Sequence, residues 1–494
     1  MPLNLASKTQ VSGHYFMRRR LGFAFLRHSV SMKVDPVRWQ RMMLILSAVI
    51  GTVLLVGAFV IGWLRPAGLV GTSKIVADRS LGTLYVSVDG RLHPALNLVS
   101  ARLIAGEPDA PTFVSADDLA KYPKGPTVGI IGAPVAPPVV LSPDVSRWAV
   151  CDTASDAADG VPLVTGIDGG LTLGQGAQTL RDGSAVVLSY GKQIFVVAQG
   201  VRMPVDLTNR AVTGALGLDP SAPVAAMSRA LFDALPAGGP LVIPVVPNAG
   251  VPAPFDWGPG VVIGSVVTSQ DVATGADRFY VVVGDGVQAV SPVVAAMLRQ
   301  HDSFGTSTPP RVSPDRLSAV PVRQVLDVDY YPPNPLTVVD VRADPVTCVA
   351  WERGVTDRQA RLSVISGRGL PITSDQQARL VPLVGGGNGG VQAQQVLVSS
   401  QPATFVTTTA AALDSPVRET MWLISDSGAR YGVAFDEAAL RALGLAVSQI
   451  RPAPWSMLQV WPAGPVLSRP AAMTVHDSLT GAAAPVTTTQ QQGG

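Results

Sequence analysis

Residues 42–64 (MMLILSAVIGTVLLVGAFVIGWL) form a run of 23 side chains without a charge. As a helix the run spans about 34 Å, enough for a hydrocarbon core of roughly 30 Å. Arg38 and Arg41 precede it, and Arg65 and Pro66 follow. Trp39 and Trp63 stand near its ends, where amphipathic rings favour the boundary between lipid and water. The chain is therefore expected to divide into a basic head (1–41), a membrane span (42–64), a large body (65–480) and a short end segment (481–494).

Charge gives these parts an orientation. Within residues 1–41 eight basic side chains (Lys8, Arg18, Arg19, Arg20, Arg27, Lys33, Arg38, Arg41) face one acid, Asp35, for a net +7. The whole chain carries 37 basic and 35 acidic residues, which leaves 29 against 34, or −5, for the remainder. The excess of positive charge predicts a cytoplasmic head and an exported body. A cleaved signal peptide fits poorly. The apolar run exceeds an h-region of roughly 7–15 residues, and Gly68-Leu69-Val70-Gly71 lacks a small-residue cleavage pattern.

Cys151 and Cys348 are the two cysteines, both in the expected exported part. An even count in an oxidising compartment reads as a disulfide. Closing so long a loop is worth on the order of 4–5 kcal/mol in the chain-entropy description. Two buried free thiols are the other reading. No CxxC pattern or neighbouring histidine pair suggests zinc.

The body is rich in Gly, Pro, Val and Ala and poor in Lys and Glu. Short Val-rich runs at 185–188, 194–197, 261–267, 279–283 and 396–398, bounded by turn residues, predict strands. Ala/Leu stretches at 225–235 and 437–443 predict short helices. The fold class expected is mixed and mostly β. The end segment is small and polar and offers little apolar surface to order it.

A unit recurs four times in this body. An aromatic residue opens a β run, a turn ends in Gly, and a second short strand follows. The copies are Tyr85-Val-Ser-Val-Asp-Gly90, Phe195-Val-Val-Ala-Gln-Gly200, Tyr280-Val-Val-Val-Gly-Asp-Gly286 and Trp422-Leu-Ile-Ser-Asp-Ser-Gly428. Each reads as a hairpin whose glycine supplies positive φ. Helix candidates follow near 100–104, 209–216, 293–298 and 437–443. Pro123-Lys-Gly-Pro126, Pro236-Ala-Gly-Gly-Pro240 and Pro462-Ala-Gly-Pro465 then introduce apolar strands in three copies. Such units stack so that each covers its neighbour's open face. Residues 312–411 break the pattern. With the segment around Cys151, they are expected to make a central piece tied by the disulfide.

These motifs resemble the EccB family, the B component of type VII (ESX) secretion membrane complexes. The resemblance rests on Gln10-Val-Ser-Gly-His-Tyr-Phe-Met-Arg-Arg-Arg20, His93-Pro-Ala-Leu-Asn-Leu-Val-Ser-Ala-Arg-Leu103, Trp148-Ala-Val-Cys-Asp152, Arg229-Ala-Leu-Phe-Asp-Ala-Leu-Pro236, Asp285-Gly-Val-Gln288, Arg430-Tyr-Gly-Val433 and Gly464-Pro-Val-Leu-Ser468, spread over nearly the whole chain. It implies a cytoplasmic N-terminus, one membrane helix and a periplasmic body of four repeats around a central domain. It also implies a disulfide between Cys151 and Cys348. The implied partners are EccC, EccD and EccE, with a mycosin protease on the periplasmic side. The repeat fold is similar to a cell-wall-binding phage lysin subunit, which leaves a peptidoglycan-binding envelope anchor as one alternative. EccB proteins also carry an ATPase designation, which leaves ATP hydrolysis as another.

The residues supply no familiar hydrolytic arrangement. A phosphate-binding loop needs GxxxxGK[ST], and the single Gly-Lys pair, Gly191-Lys192, is followed by Gln193. There is no G-x-S-x-G elbow and no HExxH. His93 beside Pro94 reads as a turn or packing residue, and Gly385-Gly-Gly-Asn-Gly-Gly390 as a loop. No catalytic residue, metal site, cofactor or nucleic-acid partner is expected. The head offers more. Its basic residues alternate with aromatic ones, and Arg18, Arg19, Arg20, Phe16 and Phe23 are the expected contacts to partner subunits or anionic lipid. On a helical wheel Arg19, Arg20 and Arg27 lie near the Phe16–Phe23 face, so a clean amphipathic helix is not expected. The reading that results is a non-catalytic structural subunit of a secretion machine, present in several copies beside its partners.

Overall fold

The computed structural model describes residues 7–28, 36–64 and 73–477, apart from 156–159, 256, 387–389, 400–401, 411 and 417. The end segment 481–494 lies outside the described residues.

The head forms a helix, Lys8–Arg27. Ser7 caps it: its hydroxyl accepts from the Gln10 amide, and the Gln10 side chain accepts from the Ser7 N–H at 3.0 Å. The second helix runs Pro36–Leu64, so it starts six residues before the uncharged run. Proline suits that first turn because its missing N–H would have had no helical partner. Within this helix Trp39–Val60 is long and apolar enough to cross a membrane, and none of it is buried against the rest of the chain.

The body holds four copies of one topology. In the second copy, strands Ser184–Tyr190, Gln193–Ala198 and Val201–Val205 form an antiparallel meander. Helix Arg210–Leu216 follows, and Ala225–Ala226 then returns parallel to the first strand. A second helix, Arg229–Ala234, leads into Ala237 and Leu241, which bridge in parallel to the third strand. The strand order is thus fifth, third, second, first, fourth. The first copy repeats it from Ile75–Asp78 to Thr127–Val128, around helix Leu98–Ala105. The third runs from Val266–Gln270 around helix Pro292–His301 to a bridge between Val287 and Val322. The fourth runs from Phe405–Thr409 around helix Glu437–Leu443 to bridges at Ala463 and Leu467.

All four expected hairpins and their first helices are present. Gly90, Gly200 and Gly428 take positive φ at the turns (76°, 80° and 79°). Gly286 does not. A Cβ there would collide with the Pro321 carbonyl, so this glycine serves close approach instead.

The central piece is a seven-stranded sheet, in the order Val381–Pro382, Gln395–Val398, Leu163–Asp168, Val145–Thr153, Val346–Gly354, Arg361–Gly367, Ala177–Thr179. Cys151 stands directly opposite Cys348 on adjacent antiparallel strands, and the two are disulfide-bonded with Cα atoms 3.9 Å apart. The bond lies inside one sheet, not between two pieces. The second and third repeats are inserted between the two cysteines; the first and fourth lie outside them.

Three expectations need correction. Residues 312–338 belong to the third repeat and its neighbours: Val322 bridges Val287, and Thr337–Val338 pairs with Ser184 and Ala185. The stretch 225–235 is not one helix. Ala225–Ala226 is drawn into the sheet, and Ser228 caps a helix that begins at Arg229. The run at 261–267 becomes strand only from Val266; ahead of it lie a turn and Gly264, with φ 94°.

Packing follows the topology. The second and third repeats share one core, with Val212, Leu216, Val293 and Met297 contributed by their first helices. The first and fourth share another, built around Val99, Leu103, Ala442 and Leu443. The second and fourth repeats also close over one face of the central sheet. There Trp148, Val349 and Trp351 meet Phe195, Leu231, Met457 and Trp461.

Candidate assembly surfaces and the central core

The head helix is the candidate contact surface for partners or lipid. Tyr15, Phe16, Met17, Leu21 and Phe25 are all more than half exposed, and Arg18, Arg19 and Arg20 are exposed beside them. Residues three, four and seven apart share a helical face. Phe16, Arg19, Arg20 and Phe23 therefore fall together, while Arg18 falls on the far side. The structure thus groups four of the five expected contact residues and separates the fifth.

The body positions its polar groups by burial. Asp152 follows Cys151 in the central sheet and is almost completely buried. Its carboxylate accepts the Ser228 backbone N–H at 2.6 Å and the Ser228 hydroxyl at 2.7 Å. The same Ser228 hydroxyl accepts the Leu231 amide and so caps helix Arg229–Ala234. A single carboxylate thereby fastens the second repeat to the central sheet. Burial pushes the Asp152 carboxyl up to about 7, against the pull of its two bonds to Ser228. Asp168, on the neighbouring strand, is fully buried. Its Oδ1 accepts the Ala403 amide at 3.1 Å, and its Oδ2 has no partner among the described residues. Burial holds its carboxyl well above the ordinary carboxylate range, and the bond to Ala403 ties the sheet to the start of the fourth repeat.

A second pair of fastenings uses arginine. Arg202 lies over the rings of Phe195 and Phe232 (5.8 and 3.6 Å), and its Nε donates to the carbonyls of Phe232 and Leu235. At the same place in the fourth repeat, Arg430 lies over Trp422 and Trp455 (4.4 and 4.8 Å), and its Nε donates to the Trp461 carbonyl. Arg202 joins its hairpin to the end of helix Arg229–Ala234, and Arg430 joins its own to the segment just past the short helix Trp455–Leu458. The sequence carried a sign of this: both arginines stand two residues after the turn glycine, in Gly200-Val-Arg202 and Gly428-Ala-Arg430.

Gly191-Lys192 is the two-residue turn between strands Ser184–Tyr190 and Gln193–Ala198, with Gly191 at φ 61°. Its glycine serves the hairpin and opens no helix. His93 is held by Pro126, whose carbonyl lies 2.9 Å from Nδ1, and its ring fills the space over Gly125. Of the glycine run at 385–390, residues 387–389 lie outside the described residues. Among the described residues no cluster of His, Cys, Asp or Glu could hold a metal ion.

Comparison with known proteins agrees with this architecture. The family model described as type VII secretion system ESX-1, transport TM domain B (EccB) matches residues 3–481. The chain is 46% identical to the ESX-2 secretion system ATPase EccB2 of Mycobacterium tuberculosis, over 100% of both chains. It is 42% identical to the ESX-5 secretion system ATPase EccB5 of the same species, over 97% of this chain and 95% of that one. Among solved structures, a chain of an intact ESX-5 inner membrane complex superposes with TM-score 0.78 at 41% identity, covering 99% of each chain. A chain of the ESX-5 periplasmic assembly gives 0.75 at 43% identity, covering 85% of this chain and all of that one. The EccB3 dimer from the ESX-3 core complex gives 0.71 at 38% identity, covering 82% and 100%. One apolar span, a four-repeat body around a disulfide-bearing sheet and a family match along almost the whole length agree: this chain belongs to the EccB family, the membrane component B of type VII secretion systems.

Proposed function

We propose that this chain is a structural, non-hydrolytic subunit of an ESX inner membrane complex, with its head helix in the cytoplasm and its repeat body in the periplasm. The charge division carries the reading: +7 before the span, −5 across the rest, with the disulfide on the negative side. The head helix docks on the membrane partners EccC, EccD and EccE, and several copies of the body surround the periplasmic exit beneath the mycosin protease. The chain uses no nucleotide. Its Gly-Lys pair closes a hairpin, whereas a phosphate cradle needs free backbone N–H groups at a helix start.

Reversing Arg18, Arg19 and Arg20 to Glu tests this directly. The chain is expected to reach the membrane, while the complex disappears from native gels and substrate from the medium. Lys192→Ala is expected to leave both unchanged. Normal assembly of the correctly inserted triple variant, together with loss of export in Lys192→Ala, would falsify the scaffold reading in favour of a nucleotide-dependent one.

A further inference from the structure

Arg18 is the residue that the Phe16–Arg19–Arg20–Phe23 face of the head helix leaves out, and it has company on its own side. At about 100° per residue, Val11, Tyr15, Arg18 and Gly22 fall within about 60° of arc around the helix axis. His14, Leu21 and Phe25 widen that arc to about 120°, and its centre stands about 150° from Phe16 and Phe23. Tyr15 is 64% exposed and Phe25 82%, and none of the described side chains of this helix is buried. The helix thus carries two apolar stripes, and a flat partner covers only one of them.

Charge and reach say what covers the second. Helix Lys8–Arg27 holds five basic residues and no acid. Residues 29–35 separate it from Pro36, where the membrane helix begins. Even fully extended, the chain from His28 to Pro36 spans less than about 30 Å. Pro36 in turn stands three residues before the apolar span Trp39–Val60. The head helix is therefore tethered within reach of the lipid headgroups, and an anionic surface attracts a helix of this charge. On such a surface Val11, Tyr15, Leu21 and Phe25 enter the boundary between headgroups and chains, while the long stem of Arg18 returns its guanidinium to the phosphates. We infer that the Val11–Tyr15–Arg18–Phe25 stripe lies on an anionic lipid surface, which leaves the Phe16–Arg19–Arg20–Phe23 face for protein partners. The inference deepens the docking role proposed above and rests on it for the second face alone.

Cys151 and Cys348 are bonded to each other, so a single added cysteine can be labelled. Gly22→Cys marks the lipid stripe, where a Cβ meets nothing within 4 Å, and Ser12→Cys marks the other side. Full-length protein with an environment-sensitive fluorophore at either position is placed, without other subunits, in nanodiscs containing phosphatidylglycerol. The label at 22 is expected to shift to the blue and to be quenched by nitroxide-bearing lipid. The label at 12 is expected to be quenched by dissolved acrylamide. Zwitterionic nanodiscs should weaken lipid quenching at 22 severalfold. So should Tyr15→Ser combined with Phe25→Ser, whereas Phe16→Ser combined with Phe23→Ser should not. Equal lipid quenching at both positions, or equal access of acrylamide to both, overturns the inference. A label at 22 that is shielded only once the native complex forms also overturns it, and assigns this face to a protein. Lipid quenching that is unchanged in zwitterionic nanodiscs overturns the anionic assignment. The two leaflets of a nanodisc are alike and no partner is present, so a failure here is distinct from a failure of docking, which native gels read.

Discussion

The four repeats share one topology yet solve the burial of their second face in two ways. In the first and third repeats that face closes on itself. Tyr85, Leu92 and Leu119 make a small private cluster in one, and Trp257, Val287 and Val312 make another in the other. In the second and fourth repeats the same face opens onto the central sheet, and its residues join the largest core of the chain. One position records the difference. It holds Leu92 and Val287 in the self-closing repeats, and Arg202 and Arg430 in the repeats that face the sheet. An aliphatic side chain seals a small cluster. At the rim of a larger core, a guanidinium lies over aromatic rings and meets carbonyls that an aliphatic group would leave without that donor. The lesson is that one strand order can serve as a free-standing module or as half of an interface, depending on which residue follows the turn of the hairpin.

The contrast can be broken most severely at Trp461. Its ring crosses Trp148 edge to face at 5.1 Å and packs over Gly166. Trp461→Ala is expected to cost about 3–5 kcal/mol. Limited proteolysis should then open the second and fourth repeats together, since they share that core. Leu119→Ala in the first repeat should cost roughly 2 kcal/mol, with new cleavage confined to residues 75–128. Equal cleavage patterns in the two variants would remove the distinction between the kinds of repeat.

The next largest effect concerns Asp152. Its folded pKa, about 7, lies above the ordinary value of 3.8 because burial penalises the charged form. The folded state therefore binds more protons between these values. The stability this group contributes is full below pH 4 and is lost as pH rises through 7. Asp152→Asn keeps the shape without the charge. It should raise stability by on the order of 2–4 kcal/mol at pH 8 and change it little at pH 4. Denaturation curves at the two pH values check this, and a benefit that is constant with pH would show that the carboxylate does not titrate there.

Arg202→Leu places the residue of a self-closing repeat into one that faces the sheet. The loss of two bonds to carbonyls and of the ring contacts is expected to outweigh the apolar gain by about 1 kcal/mol. Hydrogen exchange should quicken in helix Arg229–Ala234 and stay unchanged in the first repeat. Unaltered exchange in that helix would mean that the arginine fastens nothing.

Much of this arrangement was legible before the fold was known, and the boundary is instructive. The span, the hairpins and the first helices were readable because each carries a local signal: an uncharged run, an aromatic strand with its turn glycine, or an Ala/Leu stretch. The first strands of the first and fourth repeats and the strand that returns beside each first strand were not; strands as short as Ala225–Ala226 exist only through their partners. Residues 312–338 were assigned to the centre for a related reason. The third repeat lacks the Pro-x-Gly mark, and Pro321 before Val322 is a fainter version of it. Among the residues chosen in the head, Arg18 was grouped with Phe16 by nearness in sequence, which a helix undoes within two positions. Asp152 and Ser228 could not be paired at all, because their link spans 76 residues and leaves no local trace.

The nesting of the repeats also sets an order of events for a chain that leaves its membrane span first and its end last. The second and third repeats follow one another directly, so their common core assembles from neighbouring segments. The first repeat emerges earlier but finds its partner only in the fourth. His476 reaches back across 347 residues to the Gly129 carbonyl, and Val475 pairs with Val128. Contacts of such separation form slowly. The earliest part of the body to be synthesised is thus among the last to be completed, and holds half a core open until Val475–His476 arrives to close it.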